Sequence, residues 1–305
     1  MDVSVIIVNY NTLALTQQCV DSIFEKTSGL DFEVIIVDNG STDGSKETFS
    51  HDSRIQYIYS EENLGFGRAN NLGAAHAKGD YLFFLNSDTY LVNHAISLLW
   101  EEMKHLNQEN AKVACAGCML TDEQGEYVHS YARFPSKLQS LMGATIYPML
   151  WKLHVISHMP TTSNDEEPFH PESCFEVDYV TGADLMVRKA VADQLGLFDP
   201  DFFMYFEETE MQHRYGKAGY VSVICRKPKI VHLEGKSNRK TSPGRLTQAM
   251  RSEMLYFKKT SKAVFYSLYA IIYKILHVIS YTLSFPFIHG TTREKRCHLW
   301  DTIKM

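Results

Sequence analysis

The chain has no glycine where a dinucleotide-binding fold would need one. Its first apolar run, Val3-Ser-Val-Ile-Ile-Val8, passes into Asn9-Tyr10-Asn11-Thr12 without the tight turn that receives a pyrophosphate. The later pair Gly65-Phe-Gly67 lacks the third glycine of that fingerprint, and a P-loop is absent. A nucleotide would have to be held by side chains and a metal. Zinc is poorly provided for, because Cys115-Ala-Gly-Cys118 has no second pair at ligand spacing. That stretch reads as a strand of small residues, with its thiols packing as small hydrophobes. No basic segment precedes the opening apolar run, so a secretory leader is not expected. The expected compartment is a reducing cytoplasm, with all six cysteines free.

What is present is enough apolar material, 45% of 305 residues, for one large domain or two modest ones. Charge is unevenly spread. From Lys236 onward there are 13 Lys and Arg against 3 Asp and Glu, a balance of +10. Subtracting these from the totals of 30 and 36 leaves 17 against 33, or −16, for residues 1–235. An acidic body with a basic tail suits an anionic surface for the tail. Nucleic acid is not expected, because the basic residues flank an aliphatic and aromatic stretch.

Strand and helix patterns alternate through the first half. Val3–Val8, Phe32–Val37, Ile55–Tyr59 and Tyr81–Leu85 read as strands. Helices are expected after Thr12 as cap, after Ser41-Thr-Asp-Gly44, over Arg68–Ala77 and over His94–Leu106. Four such units predict an α/β fold with a mostly parallel sheet, whose ligands gather at the carboxyl ends of the strands. Asn9-Tyr10-Asn11, Asp38 and Asn86-Ser87-Asp88 fall at such ends. A carboxylate there, Asp88 above all, can hold a divalent cation against a diphosphate.

In the second half, Val177–Val187 reads as a strand or strand pair broken at Gly182, followed by a helix over Lys189–Leu195. Phe198-Asp-Pro-Asp-Phe-Phe-Met-Tyr-Phe-Glu-Glu-Thr-Glu210 then opens a helix reaching about Ala218. Glu207, Glu208 and Glu210 in its first turn either complement the helix dipole or supply a general base. Phe202, Phe203, Tyr205 and Phe206 would wall such a base from water. His232 follows a short strand and is either a core residue or a metal ligand.

Taken together, these stretches resemble glycosyltransferase family 2, and within it the bacterial rhamnosyltransferase-like branch. The matching segments are Ser4–Asn11, Val37–Gly44, Asn63–Gly67 with Asn71 and Gly73, Leu85–Thr89, Thr181–Ala183, Phe198–Glu207, and Val231-His232 with Gly235 and Ser237. The resemblance implies a GT-A fold over residues 1–235. Residues 1–119 would form the nucleotide-sugar half, 120–235 the acceptor half, and 236–305 a basic helical tail. It implies that Asp38 accepts a hydrogen bond from the base and Tyr10 lines the base pocket, with Gly65, Asn71, Asn86 and Asp88 also at the donor. Asp88 matches the metal-binding aspartate, with Asn86 in place of its usual acidic partner, and His232 can reach the Mg2+ or Mn2+ ion or the diphosphate. Glu208 falls where the family has its catalytic aspartate, with Glu207 as acidic neighbour. The implied activity is inverting transfer from dTDP-rhamnose or a UDP-sugar to a saccharide or polyprenyl-linked acceptor in surface polysaccharide assembly. Two rivals are a lapsed nucleotide-sugar-binding scaffold, favoured by the Asn86 and Glu208 departures, and a nucleotidyltransferase. The latter would want a basic phosphate loop after the first strand.

Ala263–Phe285 is apolar except for Ser267, Lys274, His277, Tyr281 and Ser284, which fall within about a third of a helix circumference. Lys258, Lys259 and Lys262 precede it, and Arg293, Lys295 and Arg296 follow. Residues 258–296 are therefore expected on the inner membrane surface, as a peripheral anchor. Packing on the catalytic domain, a homodimer contact and a true span are the alternatives. The stretch between the halves reads as an apolar segment, Leu141–Leu153, and an acidic mobile loop, Thr161–Glu176.

Overall fold

The computed structural model describes residues 1–109, 112–143, 173–233, 243–284 and 292–304. Most of Leu141–Leu153 and of Thr161–Glu176, together with Gly235 and Ser237, lies outside the described residues.

Unbroken β-branched and aromatic runs become strands that are covered on both faces. Val3–Asn9 (β1), Phe32–Asp38 (β2) and Gln56–Tyr59 (β3) alternate with Leu13–Lys26 (α1), Ser45–Phe49 (α2) and Phe66–Ala74 (α3). Tyr81–Asn86 (β4) and Thr89–Leu91 (β5) precede Ala95–Gln108 (α4) and Val113–Cys118 (β6). Tyr131–Ala132 (β7), Cys174–Val177 (β8), Tyr179–Val180 (β9) and Asp184–Arg188 (β10) lead to Lys189–Leu195 (α5) and Glu207–Lys217 (α6). Val221–Cys225 (β11) and Ile230–His232 (β12) complete the strands, and Pro243–Thr260 (α7), Ala263–Ser284 (α8) and Thr292–Lys304 (α9) follow.

The main sheet has eight strands in the order β3-β2-β1-β4-β10-β6-β11-β8. Neighbours β1, β2, β3 and β4 run parallel, as do β6 and β11, while β10 and β8 run antiparallel to their neighbours. Side chains on successive strand residues point to opposite faces, so each strand feeds two cores. Val3, Val5, Ile7, Val34, Ile36, Phe83 and Leu85 pack on one side; Ile6, Ile35, Val37, Leu82 and Phe84 pack on the other. The same parity separates Cys115 from Cys118, which enter opposite cores and cannot share an ion.

The reversal of β10 brings the two halves of the chain together. Its register pairs Asp184 with Leu85. The residues entering β10, Thr181-Gly182-Ala183, therefore arrive at the carboxyl edge of β4, where Asn86-Ser87-Asp88 begins. Ala183 accepts the Asn86 backbone N–H at 2.9 Å.

Two expectations are corrected. Cys174 and Cys225 are not free thiols but a disulfide, because antiparallel β8 and β11 set them directly opposite with Cα atoms 4.1 Å apart. Thr12 sits at the start of α1 but does not cap it: its hydroxyl donates to Asn9 Oδ1 at 2.9 Å, and Asp43 takes the Leu13 N–H at 2.9 Å.

The chain divides into two compact units. One comprises Met1–Arg133, Ser163–Phe203 and Glu207–Arg239; the other comprises Phe134–Thr162, Met204–Phe206 and Lys240–Met305. The first holds the sheet and every candidate site residue. In the second, α7 and α8 meet through an aromatic ladder, with Tyr256 on Phe257 (5.3 Å), Phe257 on Tyr269 (4.8 Å) and Tyr269 on Tyr273 (5.5 Å).

Candidate active site

At the end of β2, Asp38 is wholly buried, yet both its oxygens are hydrogen-bonded. Oδ1 accepts the Ser41 N–H at 2.9 Å, and Oδ2 accepts the Tyr57 hydroxyl at 2.6 Å. Tyr57, on β3, was not singled out from the sequence, because a tyrosine in a strand is ordinary. Asn9 and Asn11 brace this loop: Asn9 Nδ2 donates to Ser41 Oγ at 3.0 Å, and Asn11 Oδ1 accepts the Thr42 N–H at 2.8 Å. Between them Tyr10 stands 48% exposed, free to present its ring to a ligand.

Asp88 lies just past β4 and is 4% exposed. Its neighbour in space is His232, fixed by a two-stranded ladder in which β12 pairs antiparallel with β5 and His232 faces Thr89. The Leu233 N–H donates to the Asp88 carbonyl at 2.8 Å, and the His232 N–H to the Thr121 carbonyl at 2.8 Å. This places His232 Nε2 at 3.3 Å from Asp88 Oδ1 and 3.5 Å from Asn86 Nδ2. Among the described residues no group of three or more His, Cys, Asp or Glu side chains could hold a metal. A carboxylate beside an imidazole nitrogen still suits a divalent cation that takes its remaining ligands from phosphate and water.

Asp184 was missed by sequence reasoning. It begins β10, is wholly buried, and accepts the Cys118 N–H at 2.6 Å, while its other oxygen has no hydrogen-bond partner. Burial pushes its carboxyl up to about 7, against the hydrogen bonds of Cys118 and the charge of His232. A signal was available: an aspartate inside the apolar run Tyr179–Val187 is costly unless it is held.

The acidic turn of α6 is set by close backbone packing. Gly65 has φ +82°, and a Cβ there would lie 2.0 Å from the Phe203 carbonyl oxygen, which instead accepts the Phe66 N–H at 2.9 Å. At Gly67 a Cβ would meet Phe198 Cβ at 3.0 Å and Glu207 Cβ at 3.4 Å. Asn71 spends both ends of its amide on Phe198, donating to the carbonyl at 2.7 Å and accepting the N–H at 3.2 Å. In this structure Gly65 and Asn71 therefore hold the 198–203 stretch in place. Tyr205 and Phe206, at φ +72° and +69°, are consecutive left-handed residues directly before the helix. For such side chains that conformation costs roughly 1–3 kcal/mol each.

Glu207 is buried, and its Oε2 has no hydrogen-bond partner. Burial first, then the charge of Glu208, drives its carboxyl well above the ordinary range. Glu208 is half-buried, its carboxyl also raised by burial, and its Cγ stands 4.0 Å from the point where a Gly182 side chain would begin. Gly182 precedes Ala183, the residue hydrogen-bonded to Asn86. Glu208 thus adjoins the turn that abuts Asn86-Ser87-Asp88.

Residues 4–160 match the sequence model described as Glycosyl transferase family 2. The chain is similar to N-acetylglucosaminyl-diphospho-decaprenol L-rhamnosyltransferase of Mycobacterium tuberculosis, at 25% identity over 235 residues covering 73% of each chain. Among solved structures it is similar to residues 1–349 of TarS from S. aureus, with a TM-score of 0.52, 16% identity, and 100% of this chain and 80% of that one covered. It is also similar to the mannosyltransferase PcManGT of Pyrobaculum calidifontis, solved with GDP-Man and Mn2+ (TM-score 0.55, 14% identity, 99% and 86% covered). At these identities the structural likeness shows the shared GT-A fold.

Proposed function

The chain belongs to glycosyl transferase family 2, and from that premise we propose that it moves a sugar from a nucleoside-diphosphate donor to an acceptor hydroxyl with inversion at the anomeric carbon. The observation that carries this reading is the approach of Glu208 to the Gly182-Ala183 turn, whose Ala183 is hydrogen-bonded to the segment bearing Asp88. On this reading Glu208 is the base and Asp88 with His232 handles the diphosphate, Glu208 and Asp88 coming from opposite halves of the sequence.

Asp38 would accept a hydrogen bond from a base with a ring N–H, which uracil, thymine and guanine offer and cytosine does not, in addition to those from Ser41 and Tyr57. Tyr10 gives that base an aromatic face. Asp88 and His232 would hold Mg2+ or Mn2+ with the diphosphate, supplying charge neutralisation for the leaving group. Glu208 accepts the proton of the acceptor hydroxyl as that oxygen forms its bond to the anomeric carbon. The bond from that carbon to the diphosphate oxygen breaks in the same displacement, and the nucleoside diphosphate leaves with the electron pair. The likeness to a protein named as an L-rhamnosyltransferase favours an activated rhamnose such as dTDP-rhamnose as donor, with a UDP-sugar as the alternative. It also favours a polyprenyl-linked saccharide as acceptor; a role in surface polysaccharide assembly at the inner face of the membrane belongs to the same proposal.

The test is release of nucleoside diphosphate, followed with Mn2+ across a panel of nucleotide sugars. Turnover with one donor is expected, and Asp88→Ala should lower it by roughly 10²–10³-fold, the scale for loss of a group that stabilises developing charge. Nucleotide-sugar binding without turnover under any of these conditions would favour the lapsed scaffold instead.

A further inference from the structure

Helix α8 turns its greasy side outward. Val264, Phe265, Leu268, Ile271, Ile272, Ile275 and Ile279 are all exposed, several by more than half. At 100° per residue they fall within an arc of about 120°. Of the residues expected to form a water-facing polar stripe, Tyr281 is buried and Lys274 and His277 are half-buried, while Ser267 is exposed. Tyr269 and Tyr273 are buried, and the Tyr273 hydroxyl donates to Glu253 at 2.8 Å. His277 stacks between Tyr273 and Tyr281, at 5.9 and 6.0 Å. An amphipathic helix on a soluble protein buries its aliphatic face; this one buries Tyr269, Tyr273 and Tyr281 and leaves its aliphatic face exposed.

The neighbourhood of that stripe is cationic. Lys258, Lys259 and Lys262 are exposed just before it. In α9, Arg293, Arg296, Cys297, Trp300 and Lys304 are exposed. The helix is long and apolar enough to span a bilayer by length and composition. It carries Lys274 near its middle, however, and it is tied to α7 through Tyr273 and Glu253 along its inner side.

We propose that the outward face of α8 is a docking surface for an anionic lipid monolayer. The helix lies in the interface, its isoleucines enter the acyl boundary, and the Lys and Arg residues around it meet phosphate headgroups. Charge complementarity picks this occupant over a second copy of the chain, whose identical surface would bring the same cations face to face. The docking does not depend on the glycosyltransfer chemistry, and its test uses no sugar nucleotide.

The experiment is co-sedimentation of the full chain with phosphatidylcholine vesicles, with and without phosphatidylglycerol. Binding is expected only with the anionic lipid, and added salt should weaken it. The double variant Ile271→Ser/Ile275→Ser should cut partitioning by roughly tenfold or more, since each change removes an apolar side chain from lipid. Lys258→Gln/Lys259→Gln should cut it several-fold on anionic vesicles, at about fivefold per lysine at most. These side chains are exposed, so the circular-dichroism melting point should be unchanged; the lysine variant provides the answer should the serine variant melt early. Partitioning indifferent to both variants would overturn the proposal, as would wild-type protein that resists extraction by alkaline carbonate, the mark of a span. A dimer in lipid-free solution that the serine pair converts to monomer, with no vesicle binding, would overturn it too.

Discussion

Glu207 and Glu208 are adjacent and chemically identical, and their surroundings divide the work between them. One helical residue is a rotation of about 100°, which sends Glu207 toward Gly67 and the core and leaves Glu208 by Gly182. Glu208→Gln should lower kcat by roughly 10²–10⁴-fold, the contribution of a positioned base, while the nucleotide Kd from calorimetry stays within about twofold. A base must be ionised. With its carboxyl raised by burial, the acid limb of kcat/KM against pH should lie above the ordinary glutamate value of about 4.3. Equal losses of nucleotide affinity and turnover would remove Glu208 from the base role. At this scale the candidate residues Asp38, Asp88, Glu208 and His232 could be singled out because each stands in a motif or at a strand or helix end. Tyr57 and Asp184 were not, since their importance lies in what they touch.

Among the elements, α3 and the segment entering α6 are fitted backbone to backbone at Gly65. Gly65→Ala places a methyl group against the Phe203 carbonyl and forces a left-handed alanine. The expected cost is at least about 1–3 kcal/mol, read from the urea midpoint, with a fall in kcat as Glu208 is displaced. An unchanged midpoint would mean that the two segments part easily. The long elements were readable from their periods: α1 and α4 from apolar residues at helical spacing, β1, β2 and β4 from unbroken apolar runs. β5 and β12, three residues each, carry no period at all. Yet they are what places His232 beside Asp88.

For the whole molecule, the buried Glu207 is a liability that titrates. A carboxyl whose folded pKa is raised binds more protons folded than unfolded, so its contribution is present at low pH and lost as pH rises above the ordinary value of about 4.3. Thermal melts should therefore show Glu207→Gln equal to the parent near pH 4. At neutral pH the variant should be more stable, by about 1–3 kcal/mol, the scale of an unsatisfied buried polar group. A variant less stable at every pH would show that the carboxylate is held by a favourable contact. Sequence alone determined the succession of strands and helices, the carboxyl-edge placement of Asp38 and Asp88, and the amphipathic character of α8, because these follow from local spacing. Tertiary structure decided which residues meet: Asn86 with His232 across 146 positions, Cys174 with Cys225, and the outward turn of the α8 isoleucines. Strand register and helix facing are set by packing between distant segments, and no local pattern of residues carries that information.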